Sequence, residues 1–96
     1  MSSLPSRYFI DLTQPEIAAQ FKKNPLVILP AGSVEQHGPH LPTGTDIFAS
    51  NVIGHAVAER MDGLVLPGGP LGVTPMHMPF EGTITLSPDT YQRVVV

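Results

Sequence analysis

Residues 26–46 read LVILPAGSVEQHGPHLPTGTD, and this stretch decides the fold class. It begins with an unbroken apolar run, Leu26–Leu29, which is typical of a strand covered on both faces in a parallel sheet. A segment rich in Gly and Pro follows, and its composition indicates a loop. From Thr45 the apolar residues recur at intervals of three and four, which predicts an amphipathic helix. The stretch is therefore strand, loop and helix in succession.

The segment after this stretch completes a βαβ unit. The helix from Thr45 is expected to bury one apolar face and to end before Gly63; that face comprises Ile47, Phe48, Val52, Ile53, Ala56 and Val57. Leu64-Val65-Leu66 then predicts a second strand. Strand, helix and strand in this order predict an α/β fold with a largely parallel sheet and flanking helices.

The outer segments carry further helix and strand patterns. Thr13-Gln14-Pro15-Glu16 matches the capping box at the start of a helix, which Asn24-Pro25 would end. Thr83–Leu86 alternates as a strand does, and Ser87-Pro88 is typical of the first residues of a helix.

Composition limits the class of protein. The chain has 96 residues, a net charge of -3 and no cysteine, so we expect a single domain over 1–96 without disulfides or thiolate zinc sites. Clustered basic residues are missing, which argues against a nucleic-acid partner. The first eight residues lack the apolar core of a signal peptide, and no apolar run approaches the roughly 20 residues of a membrane helix. A cytoplasmic protein with no membrane partner is expected.

The loop of the βαβ unit carries candidate metal ligands. In extended backbone Glu35 and His37 would point to the same side, with Gln36 opposite. Asp46 falls at a helix start, where the helix dipole favours a carboxylate, and Gly38 and Gly44 allow the loop to return towards it. Carboxylate and imidazole ligands suit a catalytic zinc or manganese ion that activates water. The alternative is a Glu that caps a turn and a His packed in a loop.

Two other histidines are candidates for the surroundings of this site. His40 would either orient a metal ligand or satisfy a backbone carbonyl in the loop, and we favour the second. His77, in a loop beside aromatic and Gly residues, would either line a pocket or serve as a turn residue. The catalytic acid cannot be assigned from the sequence.

These residues resemble the motifs of the creatininase family, the creatinine amidohydrolases. The first block of resemblance is Leu29–Pro42 followed by Gly44-Thr45-Asp46. The second is His77-X-X-Phe80-X-Gly82-Thr83, similar to the family's His-X-X-Phe-Pro-Gly-Thr, with Glu81 where the family usually has Pro. The resemblance implies a three-layer creatininase-like fold, of which 1–96 would be the N-terminal portion and thus an incomplete domain.

The resemblance also implies a function and a ligand set. The family hydrolyses a C–N amide bond of a small, often cyclic, substrate at a binuclear zinc or manganese site, commonly in a homo-oligomer. By matching positions, Glu35 would bind one metal, His37 the other, and Asp46 would bridge them. The remaining family ligands come from a later Asn-Gly-His segment and a downstream acidic residue.

Two further interpretations remain open from the sequence. The chain stops in the apolar run Val94–Val96 inside a predicted helix, which favours a portion of a longer protein over a short terminal helix or strand. A non-catalytic metal-binding or interaction module, or an inactive fragment, is the alternative to an amidohydrolase. A nucleotide-binding protein is disfavoured because no Gly-rich fingerprint follows Leu29.

Overall fold

The computed structural model describes residues 4–69 and 71–96. Its helices are α1 (Gln14–Lys23), α2 (Thr45–Met61) and α3 (Pro88–Val95), its strands are β1 (Val27–Ile28) and β2 (Leu64–Val65), and 3-10 turns occupy Phe9–Asp11 and Pro75–His77. Among the described residues, no helix has both the length and the apolar character needed to cross a membrane.

The chain divides into two compact units. The strand unit comprises residues 1–30 and 51–68, and the loop unit comprises residues 31–50 and 69–96, each as far as it is described. The expectation that the chain belongs to one domain stays a prediction.

The predicted capping box at the start of α1 is confirmed. The backbone N–H of Thr13 donates to Glu16 Oε1 at 2.8 Å, and the N–H of Glu16 donates to Thr13 Oγ1 at 3.4 Å. These bonds satisfy backbone donors that a helix start otherwise leaves without partners. The helix ends at Asn24 because Pro25 disfavours helical backbone in the residue before it.

In the strand unit, β1 and β2 pair in parallel, with Val27 opposite Leu64. Since α2 lies between the two strands in the chain, this pairing confirms the predicted βαβ order and the α/β class. Both strands have two residues and are shorter than predicted. The hydrogen bonding continues one residue further, since the N–H of Leu66 donates to Ile28 O at 2.8 Å.

β1 is less buried than the sequence predicted. Both residues of β2 are 0% exposed, whereas both residues of β1 are half-buried and Leu29 is 43% exposed. The difference follows from strand position. The N–H of Val65 donates to Arg7 O at 2.8 Å, so β2 has backbone partners on both edges. In the described residues β1 pairs with β2 alone.

The face that α2 buries differs from the predicted one. The helix begins at Thr45 as expected, but its buried residues are Gly54 and Ala58. Three of the residues predicted to be buried are largely exposed, at 60%, 70% and 63% for Phe48, Val52 and Ile53. Apolar periodicity identified one stripe of α2, but the stripe that packs against the rest of the unit carries small residues. A Cβ at Gly54 would lie 3.1 Å from Pro30 Cγ, so only a small residue fits.

The end of α2 is set by Asp62 rather than by Gly63. Asp62 has φ 54°, the left-handed conformation that Asp tolerates better than most residues. The N–H of Gly63 then donates to Ala58 O at 2.9 Å, as in a Schellman motif. The carboxylate of Asp62 accepts from Arg7 Nη1 at 2.8 Å, which ties the helix end to the N-terminal segment of the same unit.

In the loop unit, the strand-like alternation of Thr83–Leu86 corresponds to two isolated β-bridges, at Ile84 and Thr85, rather than to a strand. Ile84 N–H donates to Val34 O at 2.8 Å, whereas Leu86 N–H donates to Gly72 O at 2.9 Å. Each neighbouring segment supplies a single bridge, so no ladder forms. Gly72 must be glycine because a Cβ there would collide with the carbonyl oxygen of Gly32.

The predicted start of the last helix is confirmed. Ser87 Oγ accepts from the Thr90 N–H at 3.2 Å, and Pro88 is the first residue of α3. Proline suits this position because a backbone N–H in the first turn of a helix has no partner within the helix, so its absence costs nothing.

Candidate functional site

Glu35 lies at the centre of the candidate site in the loop unit. Its backbone N–H donates to Thr43 O at 3.2 Å, and its side chain is 14% exposed. Ser33 Oγ donates to Glu35 Oε1, and His77 Nε2 lies 2.8 Å from Glu35 Oε2. The hydrogen bond from Ser33 holds the pKa of Glu35 below its usual value. The carboxylate is therefore charged at neutral pH.

Asp46, the second residue of α2, contacts the same hydroxyl. Ser33 Oγ lies 3.3 Å from Asp46 Oδ2. A hydroxyl carries one proton, so Ser33 cannot donate fully to both Glu35 and Asp46. In the described residues, no Lys or Arg forms an ion pair with either carboxylate; imidazoles lie against them instead. Two carboxylates thus share one neutral donor, which favours a bound cation.

His37 faces Asp46 with one ring nitrogen and its own loop with the other. His37 Nδ1 lies 3.1 Å from Glu35 O, and His37 Nε2 lies 3.2 Å from Asp46 Oδ1. A carbonyl oxygen can only accept, so Nδ1 must carry a proton. The bond to the Glu35 carbonyl raises the pKa of His37, and the charge of Asp46 raises it further. Nε2 then either carries a second proton or directs its lone pair at a cation beside Asp46.

His77 and His40 are placed differently. His77 ends the 3-10 turn Pro75–His77, and its ring bridges Glu35 and Gln36, with Nδ1 lying 3.0 Å from Gln36 Nε2. His40 is exposed in the turn that follows Gly38, and its ring lies beside Gly38. Within the described residues, His40 has no hydrogen bond or ion pair to the three predicted ligands.

The structure thus links the predicted ligands pairwise. His37 contacts Asp46, Glu35 contacts His77, and Ser33 joins Glu35 to Asp46. Over residues 4–69 and 71–96, however, no group of three or more His, Asp or Glu side chains is arranged to hold a metal ion. The assignment of Glu35, His37 and Asp46 as metal ligands stays a prediction.

The sequence interpretation missed Ser33 and the partners of Gln36. Ser33 lies two residues before Glu35, and the i, i+2 rule applied to Glu35 and His37 would have included it. Gln36 accepts from the Gly38 N–H at 3.0 Å, and its own N–H donates to Thr83 Oγ1 at 3.1 Å. No local pattern predicts the second contact, because the two residues are 47 positions apart.

The donor set is compatible with a divalent cation. Zinc binds imidazole nitrogen and carboxylate oxygen at about 2.0–2.2 Å, which places two tetrahedral ligand atoms about 3.3 Å apart. The 3.2 Å between His37 Nε2 and Asp46 Oδ1 fits this spacing. The tautomer set by the Glu35 carbonyl also leaves Nε2 as the ring nitrogen able to bind.

Comparison with known proteins gives one family and several hydrolases. The family model for creatininase, described as creatinine amidohydrolase, matches residues 10–96. A mycofactocin precursor peptide peptidase of Mycobacterium ulcerans is 39% identical over 81 residues, 75% of this chain and 32% of that protein. A 3-dehydro-scyllo-inosose hydrolase of Thermotoga maritima is 32% identical over 85 residues, which cover 88% of this chain and 27% of that protein. A creatinine amidohydrolase of Pseudomonas putida is 37% identical over 59 residues, 60% and 23%.

Solved structures agree with this assignment. A crystal structure of creatinine amidohydrolase is 32% identical with a TM-score of 0.87, and the match covers 96% of this chain and 38% of that one. A mutant creatininase described as the Zn–Zn type is 30% identical with the same TM-score and coverage. The likeness confirms the predicted creatininase-like α/β fold class. The chain spans about a third or less of the length of these three curated relatives.

Proposed function

We propose a metal-dependent amidohydrolase function for this chain, which belongs to the creatininase family because the family model matches residues 10–96 of its 96. The proposed reaction is hydrolysis of a C–N amide bond in a small substrate. The three curated relatives are named as hydrolases of different substrates, which supports hydrolysis and leaves the substrate open.

One observation carries the proposal. His37 presents Nε2 to Asp46 Oδ1 at 3.2 Å while Nδ1 is held by the Glu35 carbonyl. A neutral imidazole in this tautomer would direct a lone pair at a carboxylate, which is unfavourable unless positive charge lies between them. A divalent cation, or a proton on Nε2, supplies that charge. The likeness to a Zn–Zn type creatininase favours the cation.

In the proposed site, Glu35, His37 and Asp46 would hold zinc or manganese, and Asp46 has two carboxylate oxygens with which to bridge two ions. When bound, the metal supplies an activated water and polarises the amide carbonyl. The remaining work belongs to neighbouring side chains. Ser33 lowers the pKa of Glu35 and contacts both Glu35 and Asp46, and His77 holds the second oxygen of Glu35.

Exposure indicates the side from which a ligand reaches the cluster. Glu35, His37 and Asp46 are 14%, 22% and 41% exposed in their side chains. Glu35 is thus the innermost of the three, and Asp46 is the most accessible. We propose that substrate approaches on the Asp46 side. We also propose a homo-oligomer, which the family resemblance implies and which sedimentation analysis of the full-length protein would test.

The test measures metal content and hydrolysis together in the full-length protein. Asp46→Asn keeps the size of the side chain but removes its charge, and we expect it to lose most bound zinc or manganese and all amide hydrolysis. Asp89→Asn is the matched control, since Asp89 is an exposed acid in the first turn of α3. It is expected to keep both properties.

The outcomes separate the competing functions. Elemental analysis would be combined with assays on a cyclic amide (creatinine), a simple amide (formamide) and a short peptide. Metal bound through Asp46 without turnover of any amide would favour the non-catalytic metal-binding module. Wild-type metal content in Asp46→Asn would overturn the proposed site itself.

A further inference from the structure

We infer that His77, oriented by Gln36, is a positioning residue that fixes the carboxylate of Glu35; this inference rests on the proposed function. His77 Nε2 lies 2.8 Å from Glu35 Oε2, and His77 Nδ1 lies 3.0 Å from Gln36 Nε2. The imidazole therefore connects the side chains of two residues that are adjacent in sequence. No role for Gln36 was expected from the sequence.

The direction of each hydrogen bond follows from a single backbone donor. The N–H of Gly38 donates to Gln36 Oε1 at 3.0 Å, which fixes which end of the Gln36 amide is oxygen. The amide nitrogen then faces His77 and can only donate, so His77 Nδ1 must accept. The ring proton is consequently on Nε2, which donates it to Glu35. Gly38, Gln36, His77 and Glu35 thus form a chain of hydrogen bonds, here called the relay, in which each residue donates to the next.

This relay restrains Glu35 from the side opposite Ser33. Ser33 Oγ donates to Oε1 and His77 Nε2 donates to Oε2, so the carboxylate is held by both oxygens. Each oxygen keeps further acceptor capacity, since an ionised carboxylate offers about four lone-pair sites. A metal ligand restrained in this way loses less conformational entropy when it binds a cation.

The two middle residues of the relay, His77 and Gln36, are also held through their own backbone N–H groups. The His77 N–H donates to Thr74 O at 3.2 Å within the 3-10 turn, and Thr74 is 2% exposed. The Gln36 N–H donates to Thr83 Oγ1 at 3.1 Å. These bonds place the backbones of His77 and Gln36 independently of Glu35, so the ring of His77 starts from a position that the fold sets.

The test compares two substitutions of His77 in the full-length protein, with zinc as the probe. His77→Leu removes both ring nitrogens and is expected to weaken zinc binding by about 10- to 100-fold, the usual cost of losing a partner that orients a ligand. His77→Gln restores an amide that can donate to Glu35 and accept from Gln36, so we expect zinc affinity within a few-fold of the wild type. His55→Leu, on the exposed surface of α2, is the control for loss of an imidazole and is expected to bind zinc like the wild type.

A second readout distinguishes positioning from a purely structural role. In ¹⁵N spectra of the metal-free protein, His77 is expected as the Nε2–H tautomer, and Gln36→Leu is expected to lose that preference. Zinc affinity that is equal in the wild type, His77→Leu and His77→Gln would overturn this inference alone, as would an Nδ1–H tautomer. If the wild type itself binds no divalent metal, the proposed function fails and the inference fails with it.

Discussion

The carboxylate of Asp62 and the carboxylate pair of Glu35 and Asp46 have different partners. In the strand unit, Asp62 accepts from Arg7 Nη1 at 2.8 Å and lies 3.7 Å from Lys23 Nζ, so permanent cations of the chain balance it. In the loop unit, Glu35 and Asp46 share the hydroxyl of Ser33, and within the described residues imidazoles, rather than Lys or Arg, lie against them. The first arrangement is complete without a ligand. The second has no permanent cation among the described residues, and it is the place where we propose a bound cation.

The most direct test of this comparison is the addition of zinc. A cation that binds only the folded state stabilises it by about 2.7 kcal/mol at 100 times its Kd. Asp46→Asn is expected to lose most of this gain, and Asp62→Asn is expected to keep it. Thermal unfolding with and without zinc measures the difference. An equal gain in stability in both variants would show that Asp46 and Asp62 do not differ in cation binding.

Removing the fixed cation should affect stability but not metal binding. Arg7 also donates to Gly63 O at 3.0 Å, and hydrogen bonds from a charged group contribute about 1.5–3 kcal/mol each. Arg7→Met loses two such bonds and is therefore expected to lower the free energy of unfolding by about 3 kcal/mol, whereas zinc affinity stays unchanged. Arg60→Met, at an exposed position of the last turn of α2, is the control. A fall in zinc affinity in Arg7→Met would contradict the division of roles.

Removing the shared hydroxyl should have the opposite profile. Ser33→Ala leaves both carboxylates without their common donor, and we expect zinc binding to weaken by about tenfold, or about 1.4 kcal/mol. Isothermal titration measures this directly. Ser50→Ala is the control because the Ser50 hydroxyl donates to Ile47 O within α2. Unchanged zinc affinity in Ser33→Ala would remove Ser33 from the site.

The smallest effect concerns the pH dependence of stability. The hydrogen bond from Arg7 holds the pKa of Asp62 below its usual value. The contribution of this hydrogen bond to the free energy of unfolding is therefore complete above the unfolded-state pKa of about 3.9. It is lost as the pH falls through the lower pKa of the folded state. Asp62→Asn lacks this contribution, so its stability should fall less steeply between pH 5 and pH 3. Urea unfolding over that range measures the two slopes; equal slopes would show that Asp62 is not the titrating group.

The parts of the fold that the sequence predicted are those encoded locally. The capping box of Thr13 and Glu16 involves residues three positions apart, and Ser87-Pro88 marks a helix start by itself. The buried face of α2 was predicted wrongly, because periodicity does not say which stripe a neighbour will select. Gly54 and Ala58 pack where larger apolar residues would not fit.

In the candidate site, too, the sequence predicted the contacts within one loop but not those between distant segments. Glu35, His37 and Asp46 were chosen from spacing within one loop, and the structure brings them into linked contacts. Ser33 was within reach of the same reasoning and was overlooked. The contacts of His77 with Glu35 and Gln36 join residues more than 40 positions apart, and only the folded chain brings them together. Neither set of contacts tests metal binding, so the ligand assignment stays a prediction.

The hydrogen bond between His37 Nδ1 and the Glu35 carbonyl has a consequence for how the site tolerates mutation. The His37 ring is aligned by a backbone carbonyl, which any amino acid at position 35 supplies. Replacing the Glu35 side chain therefore removes its carboxylate without turning the imidazole. An ester in place of the amide between Glu35 and Gln36 would do the reverse. It would keep every side chain but make the carbonyl a poorer acceptor and loosen the ring, and it would also remove the Gln36 N–H that donates to Thr83 Oγ1.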